Sequence, residues 1–280
     1  MNYQEILSKG SKILKVNNIK SFNLDSEILL SSIVGLKRER LLLNLEKEID
    51  DNKKNFFFDL IERRKKSEPV AYILGYKEFW KQSFIVNKNV LIPRPDTETL
   101  VENVLNNLDI NSEKKILDIG TGSGCLIISI LKERKQCLGV GVDISKKAIK
   151  LAKYNAKIQH IENRIKFFNS DIDNFYLDKY DFIISNPPYI KLHTINSLEN
   201  DIKRYEPIEA LDGGIDGYSK IKLVIKKSSS LIKKKGKLFL EVGSNQIMKT
   251  LEILKKYGFY KKDIIKDLSN KNRCIVSIKI

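Results

Sequence analysis

Along residues 1–67 the apolar positions recur at helical spacing and never alternate as a strand would, so this stretch reads as helices only. Asp25 and Ser26 stand before Glu27-Ile28-Leu29-Leu30 as a cap and first turn, with Gly35 as the stop. Asp50-Asp51 opens a further helix that carries Phe56, Phe57 and Phe58. Three adjacent phenylalanines cannot share one helix face, so this segment is expected to touch two partners, its own bundle and the other domain. Glu68-Pro69 breaks it. From Val70 to Ile92 the pattern turns to short apolar runs between turn residues, among them Tyr72-Ile73-Leu74, Phe79-Trp80 and Phe84-Ile85-Val86, and reads as a β-hairpin linker.

After Pro93-Arg94-Pro95 a helix begins near Asp96 or Thr97 and sets Leu100, Val101, Val104, Leu105 and Leu108 on one side. Strands (116–118, 138–142, 165–168, 182–185, 237–242) then alternate with helices (126–131, 145–158, 218–232, 246–257), with one long loop before the third of these helices. That alternation implies an α/β fold with a mainly parallel sheet covered on both faces. Two closing strands, near Ile264 and at 274–280, have no helix between them and so should pair antiparallel at one edge. The chain is thus divided into a helical domain (1–69), a β-hairpin linker (70–93) and an α/β domain (94–280).

Composition narrows the class. Hydrophobic residues are 42% and charged ones 31% of 280, which suits a folded protein. No apolar stretch approaches the ~20 residues of a membrane helix. Residues 1–20 interleave Glu5, Lys9, Lys12 and Lys15 in an amphipathic pattern unlike a secretory signal, so a cytoplasmic protein with no membrane partner is expected. Cys125, Cys137 and Cys274 are far apart, and only His160 and His193 join them, so neither a disulfide framework nor a metal site is indicated. The net charge of +16 fits a phosphate-bearing partner or a biased composition equally well, because the excess is mostly Lys spread along helix faces. Runs such as Lys233-Lys234-Lys235 and Arg63-Arg64-Lys65-Lys66 read as solvated helix ends.

The candidate chemistry lies at strand ends. Asn186-Pro187-Pro188-Tyr189 follows the apolar run 182–184, where an open α/β sheet places its ligands. Two prolines remove two backbone donors, Asn186 adds a side-chain acceptor and Tyr189 a flat apolar face. Such a site accepts hydrogen bonds from an NH2 group and stacks on a planar one, as in a primary amide or the exocyclic amine of a base. Asp118-Ile119-Gly120-Thr121-Gly122-Ser123-Gly124 runs from a strand into a helix, and its glycines let a ligand approach a helix amino terminus. Cys125 stands where a dinucleotide fingerprint needs its third glycine, and Asp118 suits an ammonium better than a pyrophosphate. Asp143 ends the next strand, where a carboxylate can take both ribose hydroxyls, and Ser170-Asp171 ends the third, with Asp171 toward an adenine amine. Together these residues favour S-adenosylmethionine over a nicotinamide nucleotide.

With these motifs the chain resembles the class I S-adenosylmethionine-dependent methyltransferases, whose catalytic domain is Rossmann-like. Within them it is similar to the peptide chain release factor glutamine N5-methyltransferases, the PrmC/HemK family. The resemblance spans essentially the whole chain and is carried by residues 68–75, Leu91-Ile92-Pro93-Arg94-Pro95-Asp96-Thr97-Glu98, the glycine loop, Asn186-Pro187-Pro188-Tyr189-Ile190, and Glu206-Pro207 with Ala210-Leu211. It implies that Gly120, Gly122 and Gly124, with Asp118, Thr121 and Ser123 in the same loop, bind the methionine part of the cofactor. Asp143 is then matched to the ribose and Ser170 and Asp171 to the adenine surroundings, while Asn186 borders both ligands. Asn186, Pro187, Pro188 and Tyr189 are matched to the substrate glutamine, which in this family belongs to the Gly-Gly-Gln loop of class 1 release factors. Ser170 departs from the aromatic residue often found there, and Asp96 and Asp143 from glutamate. A monomer that needs no direct nucleic-acid contact is expected, and its helical domain is read as recognising the release factor, since a peptide loop alone offers little area for selecting one glutamine. An amino-methyltransferase acting on an RNA or DNA base, which shares the tetrapeptide, is the alternative. Arg94, Glu98 and Glu206 are left as substrate contacts or interdomain ion pairs.

Overall fold

The protein is described here by a computed structural model covering residues 1–280. It forms two compact units, Met1–Tyr76 with Glu199–Tyr205, and Lys77–Leu198 with Glu206–Ile280.

The smaller unit holds α1 (Tyr3–Val16), α2 (Phe22–Val34), α3 (Arg38–Leu42), α4 (Asp51–Lys65) and α5 (Val70–Leu74). Asn2 and Glu5 close a reciprocal cap on α1, Asp50 Oδ1 accepts the Lys53 amide at 2.9 Å to start α4, and Gly35 ends α2 in the left-handed conformation. Leu14, Leu29, Leu30, Phe57 and Ile61 make the core. Gly10 lets three helices meet: a Cβ there would lie 2.6 Å from Ser26 Oγ and 2.7 Å from the Phe57 ring. The phenylalanine triplet divides more simply than expected, with Phe57 buried, Phe58 packed at the margin of this core and Phe56 exposed.

Three local expectations are corrected here. Asp25 does not cap a helix, since α2 already starts at Phe22; its buried carboxylate accepts Arg64 Nε at 2.7 Å. Arg64 is for the same reason buried rather than part of a solvated helix end. Residues 70–74 are helix α5 rather than strand, with Pro69 before the first turn and Gly75 left-handed after the last, while Ile73 joins the helical core.

The larger unit begins at Lys77, inside the hairpin of β1 (Tyr76–Phe79) and β2 (Gln82–Ile85). Its turn places Trp80 and Lys81 at positive φ, 45° and 61°, which side chains adopt at a cost. Long-range bonds hold it: Glu98 Oε1 accepts the Trp80 amide at 3.0 Å, and Glu133 Oε1 accepts Trp80 Nε1 and Lys81 Nζ at 3.1 and 2.8 Å. Phe79 and Phe84 enter the core of the same unit.

There follow α6 (Pro95–Leu105), β3 (Lys115–Ile119), α7 (Cys125–Glu133), β4 (Leu138–Asp143), α8 (Lys146–Ile158), β5 (Ile165–Asn169) and β6 (Tyr180–Ser185). After α9 (Asn200–Tyr205) come α10 (Ser219–Leu231), β7 (Ile232–Glu241), α11 (Ile247–Lys256), β8 (Phe259–Lys266) and β9 (Asn272–Lys279). The seven-stranded sheet has the order β5-β4-β3-β6-β7-β9-β8. Strands β3 to β7 pair parallel, and β9 inserts antiparallel between β7 and β8. The sheet carries one apolar layer with α6, α7 and α8 and another with α10 and α11. Lys233, Lys234 and Lys235 belong to the exposed start of β7, not to a helix end. Within the long loop after β6, α9 folds with the helical unit, where Glu199 pairs with Lys20 at 2.6 Å and Tyr205 Oη donates to the Lys66 carbonyl at 3.0 Å.

Strand β3 pairs with β4 on one side and β6 on the other, so the direction of winding reverses between β3 and β6. That reversal opens a crevice at the carboxyl ends of the strands. Ile119 of β3 is in register with Ser185 of β6, so the chain leaves these two positions as Gly120 and Asn186 side by side.

Candidate active site

The glycine loop is built to present backbone. The Gly120 and Thr121 amides both donate to the Val142 carbonyl, at 2.8 and 3.1 Å, which folds the loop back over β4. Gly120, Gly122 and Gly124 have φ of 74°, 56° and 82°. A Cβ at Gly120 or Gly122 would meet nothing within 4 Å, so both glycines border open space. The side chains of Asp118, Thr121 and Ser123, expected among the ligand contacts, are buried beneath the loop. Thr121 Oγ1 donates to Asp118 Oδ2 at 2.7 Å, and Asp118 Oδ1 has no partner. Burial pushes the Asp118 carboxyl up to about 7, opposed in part by the Thr121 hydroxyl. Asp118 therefore supports the loop from below as a buried acidic group.

Asp143 ends β4 beside this loop. Its Oδ2 accepts the Gly122 amide and its Oδ1 the Ser145 amide, each at 2.9 Å, which orients the carboxylate. Each oxygen keeps a further lone pair for a hydroxyl donor. Burial raises its pKa against those two bonds. Asp171 is exposed, and its Oδ1 is used to accept the Asp173 amide at 3.0 Å, while Ser170 Oγ donates to the Asp171 carbonyl at 2.9 Å. These two residues shape the turn after β5. The glycine cradle, the oriented carboxylate of Asp143 and the absence of a third glycine at Cys125 fit the methionine and ribose ends of S-adenosylmethionine.

The tetrapeptide after β6 is held from several directions. Asn186 Nδ2 donates to Thr97 Oγ1 at 3.2 Å, which leaves Asn186 Oδ1 as a free acceptor. Pro187 is buried, and Pro188 and Tyr189 are half-buried. Gln246 Nε2 donates to the Tyr189 carbonyl at 3.2 Å and to the Gly217 carbonyl at 3.0 Å. Gly213 packs against the same backbone, since a Cβ there would lie 2.8 Å from Tyr189 Cα. Tyr189 packs its ring against the apolar layer of β6, β7 and α10, and its hydroxyl makes a long 3.5 Å bond to Glu241 Oε1. Burial, then the Glu241 charge, pushes the Tyr189 hydroxyl up to about 12.

Glu241, Thr97, Gln246 and Gly213 are site residues that the sequence reading did not single out. Glu241 ends β7 as Asp143 ends β4, and Asp118 stands one residue before the end of β3, so the acidic residue at the tip of an apolar strand was an available signal. It is 2% exposed, its Oε2 has no partner, and burial pushes its carboxyl up to about 7. Arg94 and Glu206 pair within the larger unit, Nη2 to Oε1 at 2.5 Å, while Glu206 Oε2 accepts the Ile92 amide at 3.2 Å. Glu98 is occupied at the hairpin turn, where it accepts the Trp80 amide.

Comparison with known proteins agrees with this geometry. Residues 5–75 match the family model described as PrmC N-terminal domain, and residues 95–202 match the methyltransferase small domain. The release factor glutamine methyltransferase of Clostridium acetobutylicum is 38% identical over 100% of this chain and 99% of its own, and that of Clostridium botulinum 36% over 100% of both. The bifunctional methyltransferase of Rickettsia felis is 34% identical over 98% of this chain, which spans 57% of that longer protein. Among solved structures, a methyltransferase from Pyrococcus furiosus has a TM-score of 0.53 at 16% identity, covering 70% of this chain and 88% of its own. The ribosomal protein L11 methylase of Lactobacillus delbrueckii subsp. bulgaricus has a TM-score of 0.52 at 16% identity, covering 68% and 80%. These two likenesses bear on the fold alone.

Proposed function

Because the chain belongs to the family of release factor glutamine methyltransferases, we propose that it methylates the side-chain amide nitrogen of a glutamine in a release factor, with S-adenosylmethionine as donor. The glutamine is the one in the Gly-Gly-Gln loop of class 1 factors. The single observation that carries the reading is the free Asn186 Oδ1 at a strand tip beside the glycine loop, fixed there by the bond from Nδ2 to Thr97.

When bound, the cofactor supplies an electrophilic methyl on sulfonium. Gly120 and Gly122 offer open backbone to its methionine end, Asp143 offers lone pairs to its ribose, and the Asp171 turn borders the adenine. An amide nitrogen is a poor nucleophile because its lone pair is delocalised into the carbonyl. Asn186 Oδ1 and the Pro187 carbonyl answer this by accepting the two N–H bonds, which raises electron density on nitrogen and aims it along the transfer axis. A dedicated base is unnecessary, since the N-protonated amide formed by transfer is very acidic. Tyr189 flanks the planar amide, and its π face favours a nearby positive methyl by ~0.5–2 kcal/mol.

The domain roles extend the same reading. Residues 1–69 serve release factor recognition, 70–93 link, and 94–280 catalyse. A single loop offers little area for selecting one glutamine, and the helical unit supplies more. The enzyme acts in the cytoplasm as a monomer and needs no direct nucleic-acid contact. The test is labelled methyl transfer from the cofactor to a purified release factor, the same factor with its loop Gln changed to Ala, ribosomal RNA and DNA. Label on the first alone is expected; label on RNA or DNA alone would replace the substrate class.

A further inference from the structure

The net charge of +16 has a local concentration on α8. Lys146, Lys147, Lys150, Lys153 and Lys157 stand in its 13 residues with no Asp or Glu among them, and all five are exposed. None pairs with a carboxylate, whereas Lys222 and Lys249 share Asp216 at 3.1 and 3.5 Å and Lys233 meets Asp181 at 2.9 Å. Helical spacing sets Lys146, Lys150, Lys153 and Lys157 in one line along roughly 16 Å of helix. Tyr154, 54% exposed, stands beside that line between Lys150 and Lys157.

A merely solvated helix face interleaves both signs and gathers its cations at the carboxyl end. Helix α8 does neither. Lys146 and Lys147 open it at the end where the helix dipole disfavours them, and like charges three and four residues apart repel one another. A bound polyanion reverses both effects. Beside the line a groove of about 610 Å³ opens between α8 and the edge strand β5. Lys153 and Lys157 line it from the helix and Lys166 and the half-buried Phe168 from the strand, with Glu162 the one carboxylate among the lining residues.

We propose that α8 and the edge of β5 form a docking surface for single-stranded RNA, in which the lysine line follows the phosphates and Tyr154 stacks a base. Lysine ammonium groups are point charges that neutralise phosphates without reading sequence, and an exposed aromatic face among them accepts any base. An acidic peptide would satisfy the lysines and leave the Tyr154 ring without a stacking partner. Helix α8 begins three residues after Asp143, so the line starts near the rim of the crevice and leads away from it. None of the groups read as holding cofactor or glutamine lies on α8 or β5, so methyl transfer proceeds without this contact and the surface adds association with RNA to the enzyme.

The test is fluorescence anisotropy of a labelled, mixed-sequence RNA of about 12 nucleotides with the full-length protein, between roughly 50 and 200 mM salt. One variant carries Lys150→Gln, Lys153→Gln and Lys157→Gln. A control of the same charge carries Lys222→Gln, Lys233→Gln and Lys249→Gln, lysines already engaged with Asp216 and Asp181. The α8 variant should bind about tenfold more weakly or worse at low salt, with the slope of log affinity against log salt shallower by about 2, while the control stays within about threefold of the wild type. Tyr154→Ala should lose about fivefold or more at an unchanged slope. Equal losses in the two triple variants would reduce the charge to composition, and unchanged affinity in Tyr154→Ala would remove the stacked base. Displacement of the RNA by poly-glutamate of equal charge would assign the surface to an acidic protein. Each of these results overturns the inference, as does an absence of binding by the wild type.

Discussion

The buried side chain of Asn155 donates to the Ser123 carbonyl at 2.9 Å, so α8 holds the last turn of the glycine loop directly. The same amide brackets Ile85 of β2, accepting its N–H at 2.9 Å and donating to its carbonyl at 3.0 Å. Hairpin and cofactor loop thus share one clamp. Asn155→Leu leaves three backbone groups without their partner, and each buried orphan costs about 1–3 kcal/mol. The variant is expected to lose thermal stability and, when still folded, to bind cofactor more weakly; an unchanged melting temperature and affinity would show the clamp idle.

Asp143 is expected to govern cofactor affinity without touching the substrate grip. Hydrogen bonds to a charged group are worth about 1.5–3 kcal/mol, so Asp143→Ala should weaken cofactor binding roughly ten- to a hundredfold. Calorimetry measures this. Part of the loss will come from the Gly122 and Ser145 amides, which then lack the acceptor that orients the loop.

Asp118 makes an opposite contribution to stability from the usual surface carboxylate. Its native pKa is raised to about 7 by burial, so between the ordinary carboxylate range of about 4 and that value the native state holds a proton that the unfolded chain has released. Stability from this group is full below the unfolded value and is lost as pH rises toward 7. The cofactor-free wild type should therefore lose melting temperature between pH 4 and 7 relative to Asp118→Asn, compared at each pH. Parallel curves would show that Asp118 does not titrate there.

The fold was legible wherever one element's own residues decide it. Alternating strands and helices from 115 onward, the Gly35 stop and the Asp50 cap are all local patterns, and the structure has them. Expectations failed where a distant partner decides. Asp25 looked like a cap because its partner Arg64 is 39 residues away. Residues 70–74 looked like a strand because five apolar and aromatic residues carry no period long enough to tell, and packing of Ile73 settles it. The site shows the same division. Strand-tip residues Asp143 and Asn186 were found from position alone, whereas Thr97 and Glu241 become site residues only when α6 and β7 bring them behind the tetrapeptide. The hairpin turn at Trp80-Lys81 lacks the usual glycine or asparagine, since Glu98 and Glu133 supply the restraint from elsewhere in the chain.

Gly213→Ala tests whether the tetrapeptide backbone must stay where it is. The added methyl would sit 2.8 Å from Tyr189 Cα and 2.9 Å from both the Tyr189 carbonyl carbon and the Gly217 oxygen, all backbone atoms that cannot turn away. Shifts near 1 Å at a reacting site cost on the order of a hundredfold in rate. Methyl transfer should fall steeply while cofactor affinity stays near the wild-type value; full activity would show that the loop can give without consequence.

The most direct measurement compares Asn186→Ala with the wild type in single-turnover methyl transfer to release factor, alongside cofactor affinity by calorimetry. Asn186 Oδ1 is argued to accept from the reacting amide, and loss of one such preorganised bond costs about a hundred- to a thousandfold in rate. The expected result is a loss of that size with cofactor affinity held within about twofold, a difference below roughly 0.5 kcal/mol. Equal losses of rate and cofactor affinity would place Asn186 in the cofactor site, and an undiminished rate would remove it from the chemistry.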